Sequence, residues 1–212
     1  MFDFDLTLAD STSGIVECTQ YALRLMGFGE TDPVQIQDVI GLPLSTMFQT
    51  LTANAETSTE QGAQEFTRLF VERADAIMVP STRIYDEVRP LLHRLRDDGV
   101  KVAIVSTKFR YRIEAILDAT QLRDYVDVIV GGEDVTRHKP HPDGLELALA
   151  RLDLPASAAV YVGDHAVDAQ AARAAGVPFI GVLSGTTSAE QWRARGERCV
   201  QAHIGELAQW MR

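Results

Sequence analysis

Four places in the 212-residue chain carry side chains able to move protons, hold cations or act as nucleophiles. The first is DFDLT, Asp3 to Thr7, where Phe2, Phe4 and Leu6 alternate with Asp3, Asp5 and Thr7. Period-two alternation predicts a strand with one apolar and one polar face. Asp is a poor strand residue, so two on one face need a reason: a solvent-wetted edge strand, or a pair of working carboxylates. The second place is Ser106-Thr107-Lys108, which follows an apolar run. The third is Lys139 in RHKPHPDG, ahead of a helical pattern, and the fourth is Gly163-Asp164 with Asp168 one turn further on. Acids four apart on a helix share a face, although N-capping is the plain alternative for Asp at a helix start. Carboxylates converging at about 4 Å repel by roughly 4 kcal/mol per pair at an effective dielectric near 20. A hard dication with oxygen ligands, Mg²⁺, would resolve that repulsion.

Four apolar, β-branched runs read as buried strands: residues 100–105, 126–130, 159–162 and 179–183. Each is short and nearly continuous, as in a parallel sheet covered on both faces. Helical spacing lies between them. Val88, Leu91, Leu92 and Leu95 recur at that period and Gly99 supplies a C-cap. Ile113, Ile116 and Leu117 repeat the pattern, as do Leu145, Leu149 and Leu152, and Thr187 to Glu190 reads as a capping box before Trp192. Alternation of this kind predicts an α/β fold, a doubly wound parallel sheet. Ligands of such sheets bind beyond the carboxyl ends of the strands, where all four places fall.

Residues 13–80 break the alternation. Helical patterns cover 15–26, 33–40, 44–51 and 57–78, with a turn at Gly41-Leu42-Pro43. The reading is an inserted helical domain, 13–80, within a core formed by 1–12 and 81–212. Phe66, Leu69, Phe70, Arg73 and Ile77 make the stripe expected to form the insert's core, and Cys18 is expected inside its first helix.

Apolar residues are 46% of the chain and charged ones 24%, ordinary for a soluble domain with a good core. The net charge of −10 argues against a nucleic-acid or anionic-membrane partner, which would need a basic face. Cys18 and Cys199 are far apart with no CxxC, which argues against a disulfide framework or zinc site and suits a reducing cytoplasm. No apolar run approaches the roughly 20 residues that span a bilayer, and no signal peptide precedes the first motif. The expected partner is a small molecule, the expected location cytoplasmic, and monomer and homodimer are both open.

In their order and spacing, DFDLT at 3–7, IVSTK at 104–108, HKPHPDG from His138 and VGDHAVD from Val162 resemble the haloacid dehalogenase superfamily of phosphohydrolases, over nearly the whole chain. The insert with its GLPL turn resembles the small α-helical cap of the branch holding phosphoglycolate phosphatases, pyrophosphatases and β-phosphoglucomutases. The resemblance implies Asp3 as a nucleophile forming an aspartyl-phosphate, as carboxylates can. It implies Asp5 as the acid that protonates the leaving oxygen and then the base toward water. Mg²⁺ would be held by Asp3, the backbone carbonyl of Asp5 and Asp164, with Asp168 in support. Lys139 would neutralise charge, and Thr7, Ser106, Thr107 and Lys108 would join it around the phosphate, since phosphoryl transfer needs mainly positioning and charge neutralisation.

An acid at Asp5 favours phosphate-ester chemistry over dehalogenation, which has no alkoxide to protonate. Gly163-Asp164-His165 stands where the mutases resemble one another in an acidic pair, which favours a phosphatase. The leading substrate is 2-phosphoglycolate; inorganic pyrophosphate and mutase activity are the rivals, and a phosphate-sensing binding protein the non-enzymatic one. His138 and His141 read as loop residues rather than an HxxH metal site, His165 as a neighbour of the metal's supporting residues or inert, and Arg110 and Arg112 as solvated helix-start residues. Leu6 stands where the family commonly has Gly. Only Met1 and Phe2 precede Asp3, so a central strand of five or six residues would be short, and the expectation is either missing native residues or lost stability there.

Overall fold

The computed structural model describes residues 1–53 and 58–209. The expected helix start at Thr57 lies outside them. The chain folds as two compact units, Met1–Asp10 with Ile84–Arg212, and Ser11–Arg83.

The first unit is built on a parallel sheet. In chain order its elements are β1 (Ala9–Asp10), β2 (Arg83–Ile84, whose first residue belongs to the second unit), α1 (Val88–Asp97), β3 (Ala103–Val105), α2 (Arg110–Ala119), β4 (Val128–Val130) and α3 (Asp143–Leu152). There follow β5 (Tyr161–Gly163), α4 (Ala166–Ala174), β6 (Phe179–Val182), α5 (Ala189–Ala194) and β7 (Val200–Gln201). β3 pairs with β4, β5 with β6 and β6 with β7, all parallel. Phe2 bridges Ile104 on one side and Val162 on the other, both parallel. The spatial order is therefore β4, β3, residues 1–3, β5, β6, β7. The order reverses at the N-terminal segment, the switch point where open α/β sheets bind ligands.

That central segment is short and doubly bonded. Phe2 N donates to Ala103 O and Val105 N to Phe2 O, while Asp3 N donates to Val162 O and Val162 N to Met1 O. The strand does not run on to Thr7 as the alternation predicts. The chain turns after Asp3: Leu8 N and Ala9 N both reach back to Phe4 O, and Leu6 N donates to Ala9 O. Residues 1–9 are all buried, apolar and polar alike, so alternation there does not report one wet face. Asp5 is thus not on a strand face beside Asp3; it sits in the turn.

Met1, Ala103, Val105, Val130, Leu145, Leu149 and Tyr161 share one buried cluster with Ala171, Ala172 and Val177. It is the packing expected of β-branched strands against amphipathic helices. The expected strands appear with their starts up to three residues later. Gly99 follows α1 at φ +70°, the left-handed conformation of a C-cap. The helix before Trp192 is capped one residue later than expected: Ser188, not Thr187, accepts from Gln191 N, and Thr187 is buried.

The second unit holds α6 (Thr12–Leu25), α7 (Pro33–Gln37), α8 (Leu44–Leu51) and α9 (Glu60–Ile77). Phe48 and Phe66 centroids lie 5.4 Å apart, with Phe28 edge-on to Phe48 and Phe70 beyond Phe66. Cys18 is fully buried. Arg73 departs from the expected stripe: it pairs with Glu17 and covers the Tyr21 ring, so it caps the core rather than joining it.

Candidate active site

The carboxyl ends of the central segment and of β5, with the loop before α3, bring Asp3, Lys139, Asp164 and Asp168 together. Carboxylate oxygens of Asp3, Asp164 and Asp168 all lie within 4.8 Å of one another, and all three residues are buried. Asp3 Oδ1 accepts from Phe4 N at 2.7 Å. Asp3 Oδ2 lies 2.9 Å from Lys139 Nζ, which also donates to Asp168 Oδ1 at 2.5 Å. Asp168 Oδ2 accepts from His165 N at 3.0 Å, so both its oxygens are engaged by protein donors. Gly163 lets α4 come this close, since a Cβ there would lie 2.5 Å from Asp168 Oδ2.

Thr7 Oγ donates to Asp164 Oδ1 at 2.8 Å. Asp5 stands apart from the acidic cluster, its Oδ1 3.0 Å from Lys108 Nζ though off hydrogen-bond alignment. Lys108 is thus placed on Asp5. Ser106 is buried, its Oγ 3.4 Å from Lys108 N, and Ser106, Thr107 and Lys139 line one small cleft. His138 lines it too.

The electrostatics follow from burial. Three carboxylates face one ammonium, an excess of two negative charges in a buried site. Burial first, then the Asp168 charge, push Asp3 up to about 6 against the pull of Lys139. Burial likewise holds Asp164 well above the ordinary carboxylate range, reinforced by Asp168 and Asp3. For Lys139 burial pulls downward, but Asp168 and Asp3 outweigh it and the ammonium is held above its usual value. The donor set is hard oxygen and its surplus charge matches one dication, so a divalent metal fits these residues.

One expectation is corrected. Arg112 is not solvated; it is buried, with its guanidinium 5.2 Å from the Tyr111 ring centroid and 5.7 Å from that of Phe109. His165 is a helix cap, its Nδ1 accepting from Val167 N at 3.2 Å. Two further residues at the site escape sequence reasoning. Tyr161, fully buried on β5, places its hydroxyl 3.2 Å from Lys139 Nζ; the signal was a phenol, which needs a partner when buried. Gly185, after β6, lies against Asp164 so closely that any Cβ would collide with the carboxylate. Nothing in its sequence context marks it.

Known proteins agree with this architecture. Residues 1–182 match the haloacid dehalogenase-like hydrolase family. A phosphoglycolate phosphatase from Yersinia pseudotuberculosis is 30% identical over 97% of this chain and 89% of its own. Pyrophosphatase PpaX from Bacillus pumilus is 30% identical over 96% and 87%. A haloacid dehalogenase-like hydrolase from Bacteroides fragilis superposes with a TM-score of 0.92 at 38% identity, covering 97% of each chain. No helix among the described residues is long and apolar enough to cross a membrane. A buried acidic cluster at the switch point of a doubly wound sheet, within a sequence matched over nearly its whole length by such relatives, makes this chain a phosphatase belonging to the haloacid dehalogenase-like hydrolases.

Proposed function

We propose that the chain is a cytoplasmic, Mg²⁺-dependent hydrolase of small phosphomonoesters, with 2-phosphoglycolate the leading substrate. The observation that carries this is Asp3 at the end of the central strand, with Asp164 and Asp168 oxygens within 4.8 Å and Lys139 at 2.9 Å. Asp3 is the nucleophile. Its Oδ1 is fixed by Phe4 N, which leaves Oδ2, beside Lys139, as the oxygen that attacks phosphorus. Lys139 then offsets charge developing on the phosphoryl oxygens. Asp5, held by Lys108, donates the proton to the departing oxygen and recovers one from water. Thr7 fixes Asp164, and Ser106 and Thr107, which follow β3, would hold the phosphoryl oxygens.

Asp3, the Asp5 carbonyl and Asp164 would hold the metal, with Asp168 orienting Lys139 behind them. When bound, Mg²⁺ supplies positive charge to the nucleophile and the phosphoryl group. Residues 13–80 play the part of the family's cap, and 1–12 with 81–212 that of its core. Pyrophosphate hydrolysis is the second reading, favoured by the similarity to PpaX.

The test is phosphate release from phosphoglycolate, pyrophosphate, sugar phosphates and nucleotides, with Mg²⁺ and with chelator. Expected are a preference for phosphoglycolate and loss of turnover with chelator. Turnover by Asp3→Asn, or turnover indifferent to chelator, contradicts the reading.

A further inference from the structure

We propose that the Tyr161 hydroxyl is a positioning group for Lys139, fixing how the ammonium presents its charge to Asp3; this rests on the role given to Lys139 above. A lysine ammonium has three N–H donors and no acceptor. At this site the three meet three oxygens: Asp168 Oδ1 at 2.5 Å, Asp3 Oδ2 at 2.9 Å and Tyr161 Oη at 3.2 Å. Three partners at different bearings fix the position of Nζ, whereas two carboxylates alone leave the flexible stem more room to shift it.

The direction of the Tyr161 contact is settled by its other partner. Tyr161 Oη donates to Val105 O at 2.8 Å. A carbonyl only accepts, so that bond takes the phenol's single proton and leaves the oxygen to accept from Lys139. Asp168 Oδ1, at 3.3 Å, is the more distant competitor for the same proton. Val105 ends β3 and Tyr161 opens β5, the strands flanking the central segment, so the sheet itself fixes the phenol. Lysine has a flexible four-carbon stem and a compact charge; here its head is held by a rigid aromatic and by a carboxylate that His165 N pins in turn. With two N–H groups engaged by Tyr161 and Asp168, the third is the one available to Asp3 and to a phosphoryl group bonded to it.

The test compares Tyr161→Phe, Lys139→Gln and the double variant by thermal melting, by kcat and KM for the phosphomonoester, and by inhibition with orthovanadate. Tyr161→Phe should lower kcat about tenfold or more, as for a lost hydrogen bond to a charged group. KM should change less than about threefold and orthovanadate affinity should fall by a factor similar to kcat. Added to Lys139→Gln, it should weaken orthovanadate no further. A lower melting temperature with unchanged kcat and inhibition would leave Tyr161 as a sheet tie and overturn the proposal. So would a full additional loss in the double variant. If Lys139→Gln alone keeps wild-type turnover, the role of Lys139 is what fails, and the positioning claim goes with it. Should Tyr161→Phe not fold, ¹⁵N-lysine NMR of the unmutated protein decides: the ammonium resonance that Lys139→Gln removes must show a nuclear Overhauser contact to a tyrosine ring, and its absence refutes the contact.

Discussion

The Thr7 hydroxyl donates to Asp164 Oδ1 at 2.8 Å across 157 residues of chain. On the other side of the same carboxylate stands Gly185. Asp164 is therefore gripped between the turn that follows the central segment and the loop that follows β6. Thr7→Val keeps the shape and deletes the donor; Gly185→Ala drives a methyl into the carboxylate. Each should raise the Mg²⁺ concentration for half-maximal turnover about tenfold or more, the usual effect of removing a group that orients a metal ligand. Calorimetric titration of Mg²⁺ checks this independently of activity. Wild-type affinity in both variants would mean that Asp164 is not a ligand.

The raised pKa of Asp3 makes stability depend on pH in the direction opposite to that of an acid whose pKa folding lowers. Its unfolded value is near 3.8 and its folded value about 6, with burial the main cause and Asp168 and Asp5 adding to it. The folded state then binds more protons within that window, so stability falls as pH rises through it. At about 1.4 kcal/mol per pH unit, Asp3 alone accounts for about 3 kcal/mol at most. His138 and His165, both lowered by burial, act in the opposite sense. They are present with or without metal, so the metal-induced gain isolates the carboxylates. The rise in melting temperature on saturating with Mg²⁺ should be larger at pH 7.5 than at pH 5. An equal gain at both values would contradict it.

Leu6 has φ +58° and lies in the turn after Asp3, buried. The left-handed region costs a residue with a Cβ roughly 1–2 kcal/mol, which is the physical basis for glycine at this motif position in the family. Here burial of the leucine side chain, worth about 1.5–3 kcal/mol, offsets the strain. Leu6→Ala loses the burial and keeps the strain; Leu6→Gly loses the burial and sheds the strain. Glycine should therefore melt higher than alanine at this site, by about 1 kcal/mol in unfolding free energy, reversing the order seen in ordinary helices and strands. Chemical denaturation of the two variants measures it, and alanine proving the more stable would sink the account.

The doubly wound sheet is readable because buried parallel strands write themselves as continuous β-branched runs. The convergence of Asp3, Lys139, Asp164 and Asp168 is readable because each follows or faces a strand end in such a sheet. The turn after Asp3 is not. Phe4, Leu6 and Leu8 are buried, but so are Asp5 and Thr7, and a pattern that assumes a wet face cannot register a stretch buried on every side. Arg112 is illegible because a guanidinium stacked on rings at 109 and 111 has the same spelling as one in water. Tyr161 hides as one more apolar letter in a strand; its partners are 22 and 56 residues away, and only the fold brings them to it. The pairing of Lys108 with Asp5 is equally invisible, since a turn rather than a strand carries Asp5 to it.

That last pair gives the sharpest stability contrast. Asp5 and Lys108 are 7% and 9% exposed, with 3.0 Å between Asp5 Oδ1 and Lys108 Nζ. Lys108→Met keeps most of the side-chain volume but leaves a buried carboxylate without its cation, which should cost about 3–5 kcal/mol. Asp5→Asn strands the cation instead and, through loss of the proton-donor role proposed for Asp5, should also lower turnover about 10²–10⁴-fold. Combining the two removes both charges. The double variant should recover much of the stability lost by either single change and none of the activity. A cycle of denaturant melts gives the coupling directly. Additive losses would show that the two charges are not coupled, and that Lys108 is free to serve the phosphate rather than Asp5.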